Sequence, residues 1–252
     1  MMKPSILVKG LACLGLWLIA GRALAEPLIA PTAIDWLLDC PFPTVHQKDP
    51  EVLERTQCAS VSVPRDYAAP KRGNVRLSLT RVGARHPLSR EGVVFIQPGE
   101  PQKGQDATFG VHLVSRWESY ATPAYRTLVN RYDVIELSPR DLSHESSVEH
   151  AARDMEFVRA QLGETQLNYL GNADATRVGS RYAALFPEHV ARMVLVNAGH
   201  AESVAYGVEQ LLLKQPTRAD ATGCVNRWVA DFLVFGKQPP ASTRCLDLGT
   251  WE

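Results

Sequence analysis

The pentapeptide Gly171-Asn172-Ala173-Asp174-Ala175 follows directly on the apolar run Leu167-Asn168-Tyr169-Leu170 and leads into a helical stretch, Arg177 to Phe186, that Pro187 closes. A strand that turns at once into a helix, with small residues two before and two after a central position, is a frame for nucleophilic catalysis. The turn is sharp and the helix packs closely on the strand, so only small flanking residues fit. Acyl transfer needs a hydroxyl or thiol at the centre, a base beside it, and backbone N–H groups facing the oxyanion. Here the centre is Ala173, whose methyl group cannot act as a nucleophile.

Other candidates are weaker. Asp174 could act as a carboxylate nucleophile only if the frame moved by one residue, placing Asn172 and Thr176 at the tight positions. Both are larger than the turn favours, and Asp174 reads better as a solvated acid at a helix N-terminus, where the macrodipole favours it. The seven histidines, His46, His86, His112, His144, His150, His189 and His200, show no metal-ligand spacing. His144 and His150 lie near Asp141 and Glu145 in what reads as a polar surface loop. His200 follows an apolar strand and falls near the edge where open α/β sheets bind ligands, but no nucleophile accompanies it. Ser143, Ser146 and Ser147 read as loop residues.

The elements that must position these residues are legible from periodicity. Val75 to Thr80 alternates apolar and polar residues and predicts a half-buried strand. Val93-Val94-Phe95-Ile96 is a buried strand that runs into the turn Gln97-Pro98-Gly99, and Tyr132 to Leu137 is another, stopped by Pro139. Residues 147–163 predict a helix with Met155, Val158 and Leu162 on one face and Gly163 at its C-terminal cap. Met193 to Val196 is a further apolar strand. Residues 26–60 are Pro-rich and irregular, with one short amphipathic segment at Ala33 to Leu38. Strands alternating with helices predict an α/β fold, a mostly parallel sheet with helices on both faces. Residues 203–236 read as helical. Trp228, Phe232 and Phe235 form an apolar stripe there, better used against the main domain than left open as a dimer or partner surface.

Several stretches together resemble a known family. They are Cys58 through Val63-Pro64-Arg65-Asp66-Tyr67, the turn Gln97-Pro98-Gly99-Glu100-Pro101, Arg131-Tyr132-Asp133-Val134 with Pro139-Arg140, and the long match from Asp154 to Leu195. On these the chain resembles the secreted tripeptidyl-aminopeptidase-like, proline-iminopeptidase-related branch of the α/β-hydrolases. The resemblance implies an α/β-hydrolase-like core over 26–202 and a partial helical cap region over 203–252.

The departures fall where that family does its chemistry. The family's glycine-rich oxyanion turn has Glu100 and Gln102 at two of its glycines, beside the retained Gly99. A carboxylate there repels a developing oxyanion unless it turns outward, and losing a glycine narrows the backbone angles available. The family's Asp-Pro-Arg-Gly-Thr-Gly reads Ser138-Pro139-Arg140-Asp141-Leu142-Ser143, and its elbow serine has become Ala173. The backbone N–H of Asp174 would still face the oxyanion position. The family's acid and histidine follow the cap, and the sequence stops at Glu252, where the resemblance expects the cap to end and the sheet to be incomplete. Nucleophile, acid and base are thus all unaccounted for. The expected function is that of a hydrolase homologue without serine-hydrolase activity, taking a peptide, a small ester or a protein partner. The alternative is an active serine-type peptidase or esterase using residues outside the elbow.

The first 25 residues read as a signal peptide. Lys3 and Lys9 give a positive start, Leu11 to Ala20 an apolar stretch, and Ala23-Leu24-Ala25 a small-x-small cleavage site. Nothing later is apolar for long enough to span a bilayer. The expected location is exported, periplasmic or secreted, with no integral membrane segment after cleavage. The whole chain balances 27 basic against 27 acidic residues, and removing Lys3, Lys9 and Arg22 leaves it weakly acidic, which argues against nucleic acid as a partner. No cofactor is expected. Of five cysteines, Cys13 falls in the leader. The others predict disulfides in an exported chain. Cys40–Cys58 and Cys224–Cys245 are preferred over the two other pairings, and metal binding is the weaker reading.

Overall fold

The computed structural model describes residues 34–41, 49–98, 109–120, 122–138, 140, 144–199, 207–213 and 222–240. The strands are β1 (Ile34–Trp36), β2 (Thr56–Pro64), β3 (Asn74–Val82), β4 (Gly92–Gln97), β5 (Tyr132–Leu137), β6 (Leu167–Asn172), β7 (Val190–Val196) and β8 (Gln210–Leu213). The helices are α1 (Pro50–Glu54), α2 (Phe109–Ser119), α3 (Pro123–Arg131), α4 (Glu145–Gln161), α5 (Ala175–Leu185) and α6 (Thr222–Phe235).

These strands join one sheet in the order β1-β2-β3-β5-β4-β6-β7-β8. From β5 through β4, β6, β7 and β8 every pairing is parallel, whereas β1, β2 and β3 are antiparallel to their neighbours. Continuous apolar runs such as Val93–Ile96 suit the parallel part because both faces are covered. On one face α4 and α5 enclose Phe95, Ile135, Met155, Tyr169, Val178 and Tyr182. On the other, α2, α3 and α6 enclose Val94, Ile96, Trp117, Leu128, Val229 and Phe232.

Local sequence sets the helix ends. Thr122 accepts the Tyr125 N–H at the start of α3, with Pro123 in the first turn. Gly163 takes a φ of +73° beyond α4, where its N–H and that of Glu164 turn back to Ala160 and Arg159 carbonyls. Pro187 removes the α conformation from Phe186, and α5 stops.

Three segments differ from the sequence reading. Residues 56–64, within the irregular 26–60 stretch, form β2, a nine-residue strand paired along its length with β3. Ile34–Trp36, in the amphipathic segment, extends this pairing as β1. Within the helical 203–236 reading, Gln210–Leu213 is a strand, because a run of leucines lacks a period and the free side of β7 accepts it. In the apolar stripe of α6, Phe232 is buried and Trp228 packs against the same core. Phe235 is 45% exposed, with the Lys237 ammonium 5.0 Å from its ring centroid.

Candidate active site

β6 ends at Asn172 and α5 begins at Ala175, so the chain reverses from strand to helix across Ala173 and Asp174. Ala173 takes the left-handed conformation, φ +49°, that only glycine adopts freely. Its N–H donates to the Val196 carbonyl at 2.9 Å, and its own carbonyl accepts the Thr176 N–H at 2.9 Å. Asp174 has φ −59° and ψ −27°, ordinary helical values. The strained residue is therefore at 173, and the frame has not moved to Asp174. The Asp174 side chain is exposed and makes no capping bond. Its backbone N–H has no hydrogen-bond acceptor among the described residues.

The flanking small residues are required by packing. A Cβ on Gly171 would lie 2.6 Å from Cε1 of Tyr169 and 3.1 Å from the Ala175 carbonyl oxygen. A Cβ on Gly179, one turn into α5, would lie 2.4 Å from the same Cε1. The Tyr169 ring thus fills the space that two glycines leave between strand and helix. Its hydroxyl donates to the Ala175 carbonyl at 2.7 Å and lies 2.8 Å from Oε1 of the buried Gln97 at the end of β4. Next to the elbow, β7 also exits through a left-handed residue, Asn197 at φ +57°. Its side-chain Nδ2 donates to Oδ1 of Asn172 at 2.9 Å, which ties the ends of β6 and β7 together.

A second constellation was not read from the sequence as a unit, although its members lie in the stretches that carry the family resemblance. Arg140 grips Asp154 through two bonds, Nε to Oδ2 at 2.6 Å and Nη2 to Oδ1 at 2.8 Å. The same guanidinium donates to the carbonyls of Pro64 and Arg65, at 2.6 and 2.8 Å. Tyr67 donates its hydroxyl to Asp154 Oδ1 at 2.8 Å. Asp154 is 1% exposed, so its charge is neutralised and hydrogen-bonded, as burial demands. Burial, and then the Asp154 carboxylate, push the Tyr67 hydroxyl well above its ordinary value. This clamp joins β2, α4 and the segment after β5, and it holds no reacting group.

Gly99, Glu100 and Gln102 lie outside the described residues, as do Asp141, Ser143, His200 and the signal-peptide segment. Ser146 and Ser147 sit in the first turn of α4 rather than in a loop. Cys40 and Cys58 are joined by a disulfide, with their Cα atoms 5.1 Å apart. The Cys224–Cys245 pairing falls outside the described residues. Among the described residues no cluster of His, Cys, Asp and Glu is placed to hold a metal. No helix among them is long and apolar enough to cross a membrane.

The α/β-hydrolase fold family matches residues 118–235, a span that contains the elbow, the clamp residues Arg140 and Asp154, and α6. A tripeptidyl aminopeptidase of Streptomyces coelicolor is 28% identical over 227 residues, covering 69% of this chain and 40% of its own. Serine protease Hip1 of Mycobacterium tuberculosis is 44% identical over 57 residues, 23% of this chain and 11% of its own. Among solved structures, epoxide hydrolase A from Mycobacterium thermoresistibile aligns at 18% identity and a TM-score of 0.36, over 55% of this chain and 39% of its own. The chain spans 40% of the length of the tripeptidyl aminopeptidases it matches.

Proposed function

Because the chain belongs to the α/β-hydrolase fold family, we propose that it is an exported hydrolase homologue that has given up serine-nucleophile catalysis at its elbow and keeps the site for binding. The bound species is a peptide, as the names of the tripeptidyl aminopeptidases suggest, or else a small ester or a protein partner. One observation carries this reading. The elbow keeps its costly backbone, with Ala173 left-handed and the Asp174 N–H without an acceptor among the described residues, but presents a methyl group where a hydroxyl would react. Removing a nucleophile of this kind typically costs orders of magnitude in rate. The exposed Asp174 carboxylate beside that N–H also disfavours a developing oxyanion. Export is supported by the Cys40–Cys58 disulfide, which reducing compartments do not favour.

A fluorophosphonate probe decides between this reading and its alternative. The alanine elbow predicts no covalent adduct and no hydrolysis of peptide or p-nitrophenyl ester substrates by the purified chain. An adduct mapped to a serine outside the elbow would establish an active serine-type peptidase or esterase instead. Hydrolysis abolished by Asp174→Asn would equally sink the proposal.

A further inference from the structure

Glu136 lies inside β5, with Ile96 of β4 and Thr80 of β3 as its register partners. It is 5% exposed. Its Oε2 accepts the Gly110 N–H at 2.8 Å, and the neighbouring Phe109 N–H also favours the charged carboxylate electrostatically. These two residues open α2, so a carboxyl buried in the sheet fastens the first turn of a helix lying over it. A Cβ on Gly110 would lie 3.3 Å from Cδ1 of Ile96 and 3.4 Å from Oε2 of Glu136, so the turn runs close to the carboxyl.

Among the described residues no cation shares the burial. α2 carries His112, Arg116 and Glu118, α3 carries Arg126 and Arg131, β3 carries Arg76 and Arg81, and β5 carries Asp133, while β4 has no charged residue. Arg81 pairs with Asp133, Glu118 with Arg55 and Arg85, and Arg131 with Glu91. None of these groups forms an ion pair with Glu136. Burial therefore pushes its carboxyl up to about 7 from an ordinary 4.5, and the Gly110 and Phe109 N–H groups recover only part of that cost.

We propose that Glu136 is a proton-operated latch on the first turn of α2, which its neutral form holds against the sheet and its ionised form releases to water. The sign follows from linkage. The closed arrangement holds the proton more tightly than a water-exposed carboxyl does, so it is fully favoured below the ordinary carboxylate range. That advantage is lost as pH rises through about 7. The latch sits at the elbow's end of the sheet, because Ile96 pairs with Glu136 and the next residue, Gln97, pairs with Gly171. It works whether or not Ala173 leaves the site catalytically silent.

Amide hydrogen exchange on the whole chain, corrected for intrinsic rates, tests the latch. Between pH 5.5 and 8.5 the protection of Gly110 is expected to fall by about tenfold or more in the wild type. In Glu136→Gln, which keeps an acceptor and has no proton to lose, it is expected to stay flat. An equal fall in both proteins, or no fall in the wild type, overturns the proposal. Should the variant fail to fold, the carboxyl carbon shift of Glu136 in the wild type decides. A midpoint near neutrality, shared by the Gly110 amide, supports the latch, and a midpoint in the ordinary carboxylate range refutes it.

Discussion

The ring of Tyr169 occupies the space into which a Cβ on Gly179 would project, 2.4 Å from its Cε1 atom. In a solvent-facing helix interior, Gly→Ala stabilises by about 1 kcal/mol. At position 179 the sign should reverse, because overpacking costs about 1–3 kcal/mol and the colliding ring is held at its hydroxyl by Ala175. Urea unfolding of Gly179→Ala should therefore show a loss of that order. A gain would mean that strand and helix do not approach this closely.

At the elbow the expected direction is the opposite of the usual one for alanine. A left-handed backbone costs an L-residue about 1–2 kcal/mol, and part of this is cancelled by the extra unfolded-state freedom of glycine. Ala173→Gly should stabilise the protein by about 0.5–1 kcal/mol, whereas Ala173→Val, β-branched, should destabilise it. Thermal melts of the two variants check this, and a glycine variant that melts lower would contradict the φ of +49° at this residue.

The Arg140–Asp154 clamp predicts a larger loss. Removing one partner of a buried ion pair costs about 3–5 kcal/mol, because the other charge is left uncompensated. Asp154→Asn and Arg140→Ala should both fall near that range in denaturant titrations. Arg140→Lys keeps the charge but not the two-pronged grip or both carbonyl bonds, and should fall between these and wild type. If Arg140→Ala cost less than about 1 kcal/mol, comparable to an exposed pair, the clamp would have no structural weight.

For the disulfide, chain entropy sets the scale. Cys40 and Cys58 are 18 residues apart in sequence, so replacing both by alanine should lower the unfolding free energy by about 3 kcal/mol. An unchanged denaturation midpoint would show that the denatured chain does not sample the freedom this crosslink removes.

Much of this arrangement was legible because parallel strands and their helices carry local signals. Val93–Ile96 and Met193–Val196 announce themselves as buried runs, and Gly171 with Ala175 marks the turn. β2 carries a regular alternation, with Ala59, Val61 and Val63 buried and Ser60 and Ser62 turned outward, but it lies at the end of a Pro-rich stretch whose composition reads as irregular. Phe109–Ser119 and Pro123–Arg131 were not read as helices. The buried faces of α2 and α3 acquire meaning only against Ile96, Val134 and α6. β8 was misassigned because a leucine run suits either element until a sheet edge claims it. The clamp has no local signal at all, since Tyr67, Arg140 and Asp154 are brought together by tertiary structure alone. Likewise, spacing could suggest that the frame stayed on Ala173, but only the backbone angles of Ala173 and Asp174 distinguish the two registers.

The same clamp bears on how the chain assembles. β2 and β3 pair across a short connection, residues 65–73, and so form a hairpin whose closure costs little entropy. Arg140, in contrast, reaches partners 75 and 76 positions away. Closing so long a loop costs more entropy, and an interaction absent from the transition state changes the unfolding rate more than the folding rate. Arg140→Ala should therefore speed unfolding more than it slows folding, and chevron kinetics in which the folding arm carries most of the loss would refute this.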